Sequence, residues 1–517
     1  MIDKLLNSDF TAEQSGFTYS RKKITDFLKS QLAGEDTTGW DASIDDPIVK
    51  DDTASATVST REFYTAGLPA GAPMYRESRY LDTWVHTVGG WKLQHSKQIY
   101  TATGMILPAQ TEVKYDSPRL MTLAKELKSG KKSATEEFWK DMDGKAPLIE
   151  PIADEKENFW VTYLWRSGKE IGNVLVTGGY PTGNFQKTLL RMADTDIFYL
   201  TERIPKDARY IYTFVVTKSI QKPPSGSKEP ETVTVAMSEP DPLNPNYYVF
   251  GSVCELPGAL PQPWSKPLPG VAAGQLEDHI IKSSILKQDR KITVYTPAGY
   301  KKTEKPYGLV VFFDGLLEFP AVPAAVILDN LIAKGKIPPV VAATIHNISG
   351  KTRSPDLSCS KDFADFLATE MVPWIRKNYH VTSDPQQTTI QGISLGGLMS
   401  FYVGLKHSEV FGNVLAQSSS LWYYPKWFDT TLPPHSSDRG WLSRQYALSP
   451  KLNLRIWMEV GRFETDYQFD MIRENRRMRD VLEAKGYPVA YSEYNGGHDY
   501  VTWRGTLADG LIALLGK

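Results

Sequence analysis

The residues able to do covalent chemistry stand in the C-terminal part of the chain. Gly392-Ile393-Ser394-Leu395-Gly396 fits the pattern GxSxG. Chance alone produces roughly 0.2 such matches in a chain of this length and glycine content, so the surroundings must carry the signal. Thr388 to Gln391 reads as a short strand, and Gly396, Gly397 and Leu398 open a helical run. That strand-turn-helix setting places a serine at a strained crest, where glycines let strand and helix approach closely. The bland alternative is a glycine-rich turn with an inert serine. A serine hydroxyl attacks a carbonyl only when a base takes its proton. His498 is the only histidine after His435, and Asn495-Gly496-Gly497-His498-Asp499 follows a last strand, Val489 to Tyr494, so its loop is free to aim an imidazole. A satisfied surface histidine is the competing reading. The third member, a carboxylate that fixes the imidazole tautomer, is sought after strand Leu454 to Val460. Glu464 lies nearest the strand end and is preferred; Asp466 is the reserve, and Glu459 within the strand is read as structural.

Negative charge that develops on a carbonyl oxygen needs fixed donors, commonly the amide after the nucleophile and one from a loop after an early strand. Leu395 supplies the first. Phe313-Asp314-Gly315-Leu316 ends an early buried strand and offers Gly315 and Leu316 for the second, with Asp314 read as a turn-fixing side chain.

These positions require a sheet to hold them. From residue 275 to 517 strands and helices alternate, and near-continuous apolar runs such as Gly308-Leu309-Val310-Val311-Phe312-Phe313 are what strands buried on both faces need. A mostly parallel α/β sheet is expected. The order Ser394, Glu464, His498 is that of the α/β-hydrolases.

The chain's 517 residues predict about three domains at roughly 150 residues each. In residues 1–113 the clearest signal is a hairpin, Arg79 to Thr87 and Trp91 to Tyr100 around Gly89-Gly90, with Ser55 to Tyr64 as a third strand. Residues 114–148 have helical spacing through Leu120, Leu123, Leu127 and Phe138 and read as a helical connector with a solvated Lys-rich face. Residues 149–252 alternate short strands with turn signals, as a β-sandwich does. Residues 253–274 are Pro-rich and read as a linker.

Composition narrows the function. Hydrophobic residues make up 41% and charged residues 23%, which excludes wholesale disorder and a fibrous repeat. Lys+Arg 59 against Asp+Glu 60 leaves a net charge of -1, so no bulk field gathers nucleic acid or anionic lipid. Cys254 and Cys359 are the only cysteines and lie far apart, so neither a disulfide framework nor a thiolate metal site is expected. The eight histidines show no metal-ligand spacing, and neither metal nor cofactor is expected. No apolar stretch reaches membrane length, and Met1 to Phe10 lacks the apolar centre of a secretion signal, so the expectation is a soluble, cytoplasmic protein.

Several motifs together resemble the enterochelin (siderophore) esterase family, within the larger esterase D group. They are Phe313-Asp314-Gly315, Arg353 with Leu357 and Phe363, the Gly392 to Gly397 elbow, Gln417-Ser418-Ser419-Ser420-Leu421-Trp422, Gly461 to Glu464, and Gly496-Gly497-His498-Asp499 with Trp503-Arg504-Gly505. The sandwich looks like that family's N-terminal domain in Asp194 to Phe198 and Asp241 to Pro245, which implies an immunoglobulin-like fold. The resemblance runs from about Phe159 to the C-terminus and implies a small-molecule ester as substrate. It makes Arg353 and Trp422 candidates for holding an aromatic or anionic acyl part, against a solvated Arg and a core Trp. Ser360 departs from the asparagine these esterases tend to have. The same architecture serves feruloyl and acetyl esterases of plant polysaccharide, which stay open as alternatives. Residues 1–113 resemble the SnoaL-like, NTF2-like family through the Tyr/Asp/Trp strand, Gly turn and Trp-led strand, though the helix that should cover the sheet is missing or shortened before Leu5. Such an α+β cone implies a different class of function, in which the chain captures a small ligand or forms a homodimer without catalysis; His86 and His95 are its candidate lining residues.

Overall fold

The computed structural model describes residues 6–14, 17–20, 37–50, 52–65, 73–87, 90–105, 115–167, 171–178, 187–192, 195–222, 231–249, 251–302, 305–348, 350–425, 440–464 and 471–516. The chain divides into two units, Met1–Lys114 with Gln186–Thr188, and the remainder.

In the N-terminal unit six strands form one sheet, in the order Phe17–Ser20, Leu6–Gln14, Gly90–Met105, Pro73–Thr87, Thr53–Thr65, Thr37–Lys50. The expected hairpin is present and longer than its sequence signal, and Thr87 pairs with Gly90, so the second glycine belongs to the ladder rather than to the turn. The helix sought before Leu5 lies outside the described residues. His95 Nδ1 is 2.9 Å from Thr11 Oγ1, while His86 is half-exposed against Trp91.

The second unit begins with two helices, Pro118–Lys128 and Ala134–Met142. They are more than a connector. Leu120, Leu123 and Phe138 are buried against Leu164, Ile197 and Tyr199, which cover the outer face of a sheet built from Asn158–Arg166 and Ile197–Pro205 with two shorter strands. The inner face of that sheet shares a core with a second sheet built around Arg209–Lys222. Val161 and Tyr163 of the first meet Val176, Tyr210 and Phe214 of the second. Alternation along Arg209–Lys222 sends Tyr210, Tyr212 and Phe214 into this core because side chains on a strand point to opposite faces in turn. Residues 253–274 are not simply a linker: Val253 and Cys254 belong to strand Gly251–Glu255, and Cys254 is fully buried in the sandwich core. Gln262 further on donates to Val501 O, so this stretch is held against the catalytic region.

That region is built on an eight-stranded sheet. We number its strands β1 (Gln275–Ser283), β2 (Gln288–Thr296), β3 (Gly308–Phe312), β4 (Val340–Ile345), β5 (Thr388–Ile393), β6 (Asn413–Gln417), β7 (Arg455–Gly461) and β8 (Val489–Tyr494). Their order is β1-β2-β4-β3-β5-β6-β7-β8. The sheet is mixed: β1 and β2 are antiparallel to their neighbours, whereas β4, β3 and β5 to β8 run parallel. Helices α1 (Ala324–Ala333), α2 (Gly350–Leu357), α3 (Leu395–Lys406), α4 (Met471–Ala484) and α5 (Tyr500–Leu515) connect or flank the strands. Along β3, Leu309 and Val311 enter one apolar core with α3 and α4, and Val310 and Phe312 enter another with α1 and α5. Both faces are thereby covered, as a parallel sheet requires. Functional side chains collect at the C-terminal ends of β3, β5, β7 and β8, where the chain leaves the sheet. Among the described residues no helix is long and apolar enough to cross a membrane.

Candidate active site

Ser394 sits between the end of β5 and the start of α3 with φ 60° and ψ -117°. A non-glycine residue in this region costs of order 1–3 kcal/mol and persists only where neighbouring structure enforces it. Here the enforcement is close packing: a Cβ on Gly392 would lie 2.2 Å from the main chain of Gly396. Ser394 N donates to Gln417 O and Ser394 O accepts from Leu398 N, so the crest is tied to β6 and to α3. Ser394 Oγ lies 3.3 Å from Ser420 Oγ.

The fold brings the Glu464 carboxylate and the His498 imidazole together. Glu464, in the loop after β7, presents Oε2 to His498 Nδ1 at 2.7 Å. Its other oxygen, Oε1, accepts from Ser418 Oγ at 2.6 Å and from Gly461 N at 2.8 Å. The Glu464 side chain is 1% exposed and that of His498 39%. The charge is therefore sheltered, while the imidazole edge reaches the cavity. Trp503 stands edge-on to the His498 ring, with centroids 4.7 Å apart, and its indole N–H donates to Ser418 Oγ at 2.9 Å. Asp466 lies outside the described residues. Glu459 is fully buried, accepts from Thr506 Oγ1 and Gln417 Nε2, and burial pushes its carboxyl well above the usual carboxylate range.

Ser394 and His498 line one cavity of about 460 Å³. Phe313, Asp314, Leu316 and Phe319 close it on the β3 side, and Tyr500 and Trp503 on the α5 side. Phe319, Tyr500 and Trp503 pack edge to face in succession, at 5.0 and 5.2 Å between centroids. Arg353 reaches the cavity from α2. Its guanidinium is clamped by Asp314 through two bonds of 2.7 Å, and Asn347 Nδ2 donates to the same carboxylate. Burial, with Asp314 nearby, raises the Tyr500 phenol above its ordinary range, so it stays protonated and able to donate.

Two sequence expectations need correction. Trp422 is 8% exposed and packed in the apolar core shared with α3 and α4, and it is not among the residues that line the cavity, because its indole is spent on that core. Gly315 N donates to Ile345 O at 3.0 Å and Leu316 N to Phe313 O at 3.2 Å, so neither amide is free to receive an oxyanion. The turn after β3 is tight enough to spend both donors on itself and β4. Leu395 stands at the first helical position of α3, where an N–H has no partner within the helix. Sequence reading missed Ser418 as a second support of Glu464, Asp314 as the partner of Arg353, and the Phe319-Tyr500-Trp503 wall. Ser418 carried a signal, as a polar residue directly after the buried strand β6; the other contacts cross between loops far apart in sequence.

Fold and site together define a serine hydrolase on an α/β-hydrolase-type mixed sheet. Comparison with known proteins narrows this. Residues 283–514 match the family described as putative esterase, and residues 160–265 match the family described as enterochelin esterase, N-terminal. The iron(III) enterobactin esterase of Escherichia coli is 29% identical over 410 residues, covering 74% of this chain and 97% of that protein. Crystal structures of the enterobactin esterase from Shigella flexneri are also similar. The one with enterobactin shares 26% identity at a TM-score of 0.56, covering 74% of this chain and 98% of that one. The one with 2,3-di-hydroxy-N-benzoyl-serine shares 26% at 0.55, covering 73% and 98%. The chain is an enterochelin esterase-like serine hydrolase, and its reaction class is carboxylic ester hydrolysis.

Proposed function

We propose that this protein hydrolyses esters of a siderophore type, whose acyl part carries an anionic dihydroxybenzoyl group, through an acyl-enzyme on Ser394. His498 takes the Ser394 proton as the hydroxyl attacks the ester carbonyl and returns it to the departing alcohol. Glu464 holds the His498 proton on Nδ1 and stabilises the imidazolium. The Leu395 N–H receives charge on the carbonyl oxygen at the positive end of α3. Water then attacks the acyl-enzyme by the same proton route. The observation that carries this reading is the 2.7 Å His498–Glu464 bond at the mouth of the cavity that Ser394 lines.

Support for the substrate comes from the cavity and the relatives. Arg353, held rigid by Asp314, presents a charge to a phenolate or carboxylate, and the aromatic wall stacks on a ring. The relatives named above act on, or were crystallised with, compounds of this kind. Nothing comparable favours a polysaccharide ester or a non-catalytic role. The test is turnover of a panel of short p-nitrophenyl esters, methyl ferulate and a dihydroxybenzoyl-serine trilactone, together with fluorophosphonate labelling. Preference for the trilactone and labelling at Ser394 are expected; preference for methyl ferulate overturns the substrate assignment, and labelling elsewhere overturns the nucleophile. We also keep the readings of residues 1–113 as an NTF2-like cone, 149–252 as an immunoglobulin-like sandwich and 275–517 as the catalytic domain. A long closing hairpin, a two-sheet core and the eight-stranded sheet support them.

A further inference from the structure

The loops bearing Glu464 and His498 both lean on one short segment of the sandwich, Arg209-Tyr210-Ile211. On the His498 loop, Asn495 O accepts from Arg209 N at 3.0 Å, and the neighbour of the base, Asp499, accepts from Ile211 N through Oδ2 at 3.1 Å. Asp499 Oδ1 meanwhile accepts from Thr502 N and Oγ1, capping α5. Asp499 is 6% exposed, so these bonds are made away from water. A Cβ on Gly496 would lie 2.9 Å from Arg209 O, which shows how closely the loop and the segment approach. On the acid loop, the neighbour of Glu464, Phe463, leaves the catalytic region and joins the sandwich core, 5% exposed, edge-on to Tyr210 at 5.8 Å. Phe463 N also donates to Gly496 O, tying the two loops together.

We propose that Arg209-Tyr210-Ile211 is a positioning element for catalysis, a clamp on the sandwich that sets the His498–Glu464 pair relative to Ser394. This rests on the assignment of those three residues to the reaction. Strand alternation gives the clamp two kinds of grip: main-chain groups of residues 209 and 211 hold the base loop, and the ring of Tyr210, pointing into the sandwich core, holds the acid loop. The sandwich then belongs to the catalytic machinery, since errors of about 1 Å in such a constellation cost around a hundredfold in rate.

The test uses the full chain with Tyr210→Ala, Tyr210→Phe, Asp499→Asn and, as a control, Val176→Ala, which opens a cavity elsewhere in the sandwich core. Melting curves confirm that each variant is folded at the assay temperature. Tyr210→Ala is expected to lower kcat and the rate of fluorophosphonate labelling by about ten- to a hundredfold with KM unchanged. Tyr210→Phe restores both because the ring contact with Phe463 remains. Asp499→Asn, which cannot accept from Ile211 and Thr502 at once with its amide nitrogen in place, is expected to lower kcat about tenfold with KM unchanged. Val176→Ala should lose stability but keep kcat. A Tyr210→Ala protein labelled at the wild-type rate overturns the clamp, as does a Val176→Ala protein that loses kcat equally. Wild-type protein that is not labelled at Ser394 overturns instead the assignment on which the clamp rests.

Discussion

Replacing Glu464 by glutamine probes the site most directly, because its surroundings dictate where the new amide nitrogen must go. Oε1 accepts from a main-chain donor, Gly461 N, that cannot rotate away, and from Ser418 Oγ. In Glu464→Gln the amide oxygen must therefore stay at the Oε1 position, which places the NH2 against His498 Nδ1, 2.7 Å away. That nitrogen must become an acceptor, so the proton moves to Nε2 and the imidazole can no longer take the Ser394 proton. Trapping the wrong tautomer in a triad costs about 10,000-fold in kcat, or about 5 kcal/mol at 1.36 kcal/mol per tenfold. Burial favours the neutral side chain, so the variant should fold. Steady-state turnover of a p-nitrophenyl ester and the rate of fluorophosphonate labelling should fall together, with KM little changed. Glu464→Asp, one methylene short of bridging Gly461 N and His498 Nδ1, should fall between the two. A folded Glu464→Gln protein within tenfold of wild type would refute the argument and direct attention to Asp466.

Ser394→Ala should abolish covalent labelling and lower turnover at least about a thousandfold; His498→Ala should do much the same, and the double variant no worse, as measured by kcat. Ser418→Ala removes one support of Glu464 and leaves the buried Trp503 N–H without its acceptor, so a stability loss of about 1–3 kcal/mol is expected in denaturant titrations. Arg353→Lys forfeits the two-pronged grip of Asp314 and should raise KM for a dihydroxybenzoyl ester while leaving p-nitrophenyl acetate unaffected. Burial raises Asp241 from 3.8 to about 6, opposed by the Tyr212 hydroxyl and Leu243 N–H that bond to it. The folded form therefore holds that proton more tightly than the unfolded one, and its share of stability declines as pH rises from about 4 to 6 and levels off above. Melting temperatures should show Asp241→Asn gaining on wild type across that window; a constant difference would contradict the assignment.

The proposed clamp makes the sandwich a second module that shapes catalysis through its contacts with the loops of the His498–Glu464 pair. Phe463 and Asp499 are each adjacent in sequence to a residue of the His498–Glu464 pair, and each spends its side chain on the sandwich. Cutting the chain between the modules would bare an apolar ring and strip Asp499 of one of its donors.

Much of this was legible in the residues themselves. The elbow could be read because GxSxG between an apolar strand and a helical run is a local pattern, and local steric demands, such as the lack of room for a Cβ at Gly392, are written in neighbouring residues. Glu464 and His498 could be named as candidates from chain order and from the strands before them, and the fold brings the two side chains into contact. The mixed sheet was legible in its parallel part, where buried strands read as unbroken apolar runs. Its antiparallel edge strand β1 escaped notice because all of its first six positions are exposed or half-exposed, polar and apolar residues with no clean alternation. What the linear order could not reveal were contacts between separate elements: Ile211 on Asp499, Asp314 under Arg353, Trp422 turned into the core, and the Gly315 amide given to Ile345. Residue types set which groups could react; the packing of separate strand ends decided which way each donor and ring faces, because direction depends on neighbours that only the folded chain brings near.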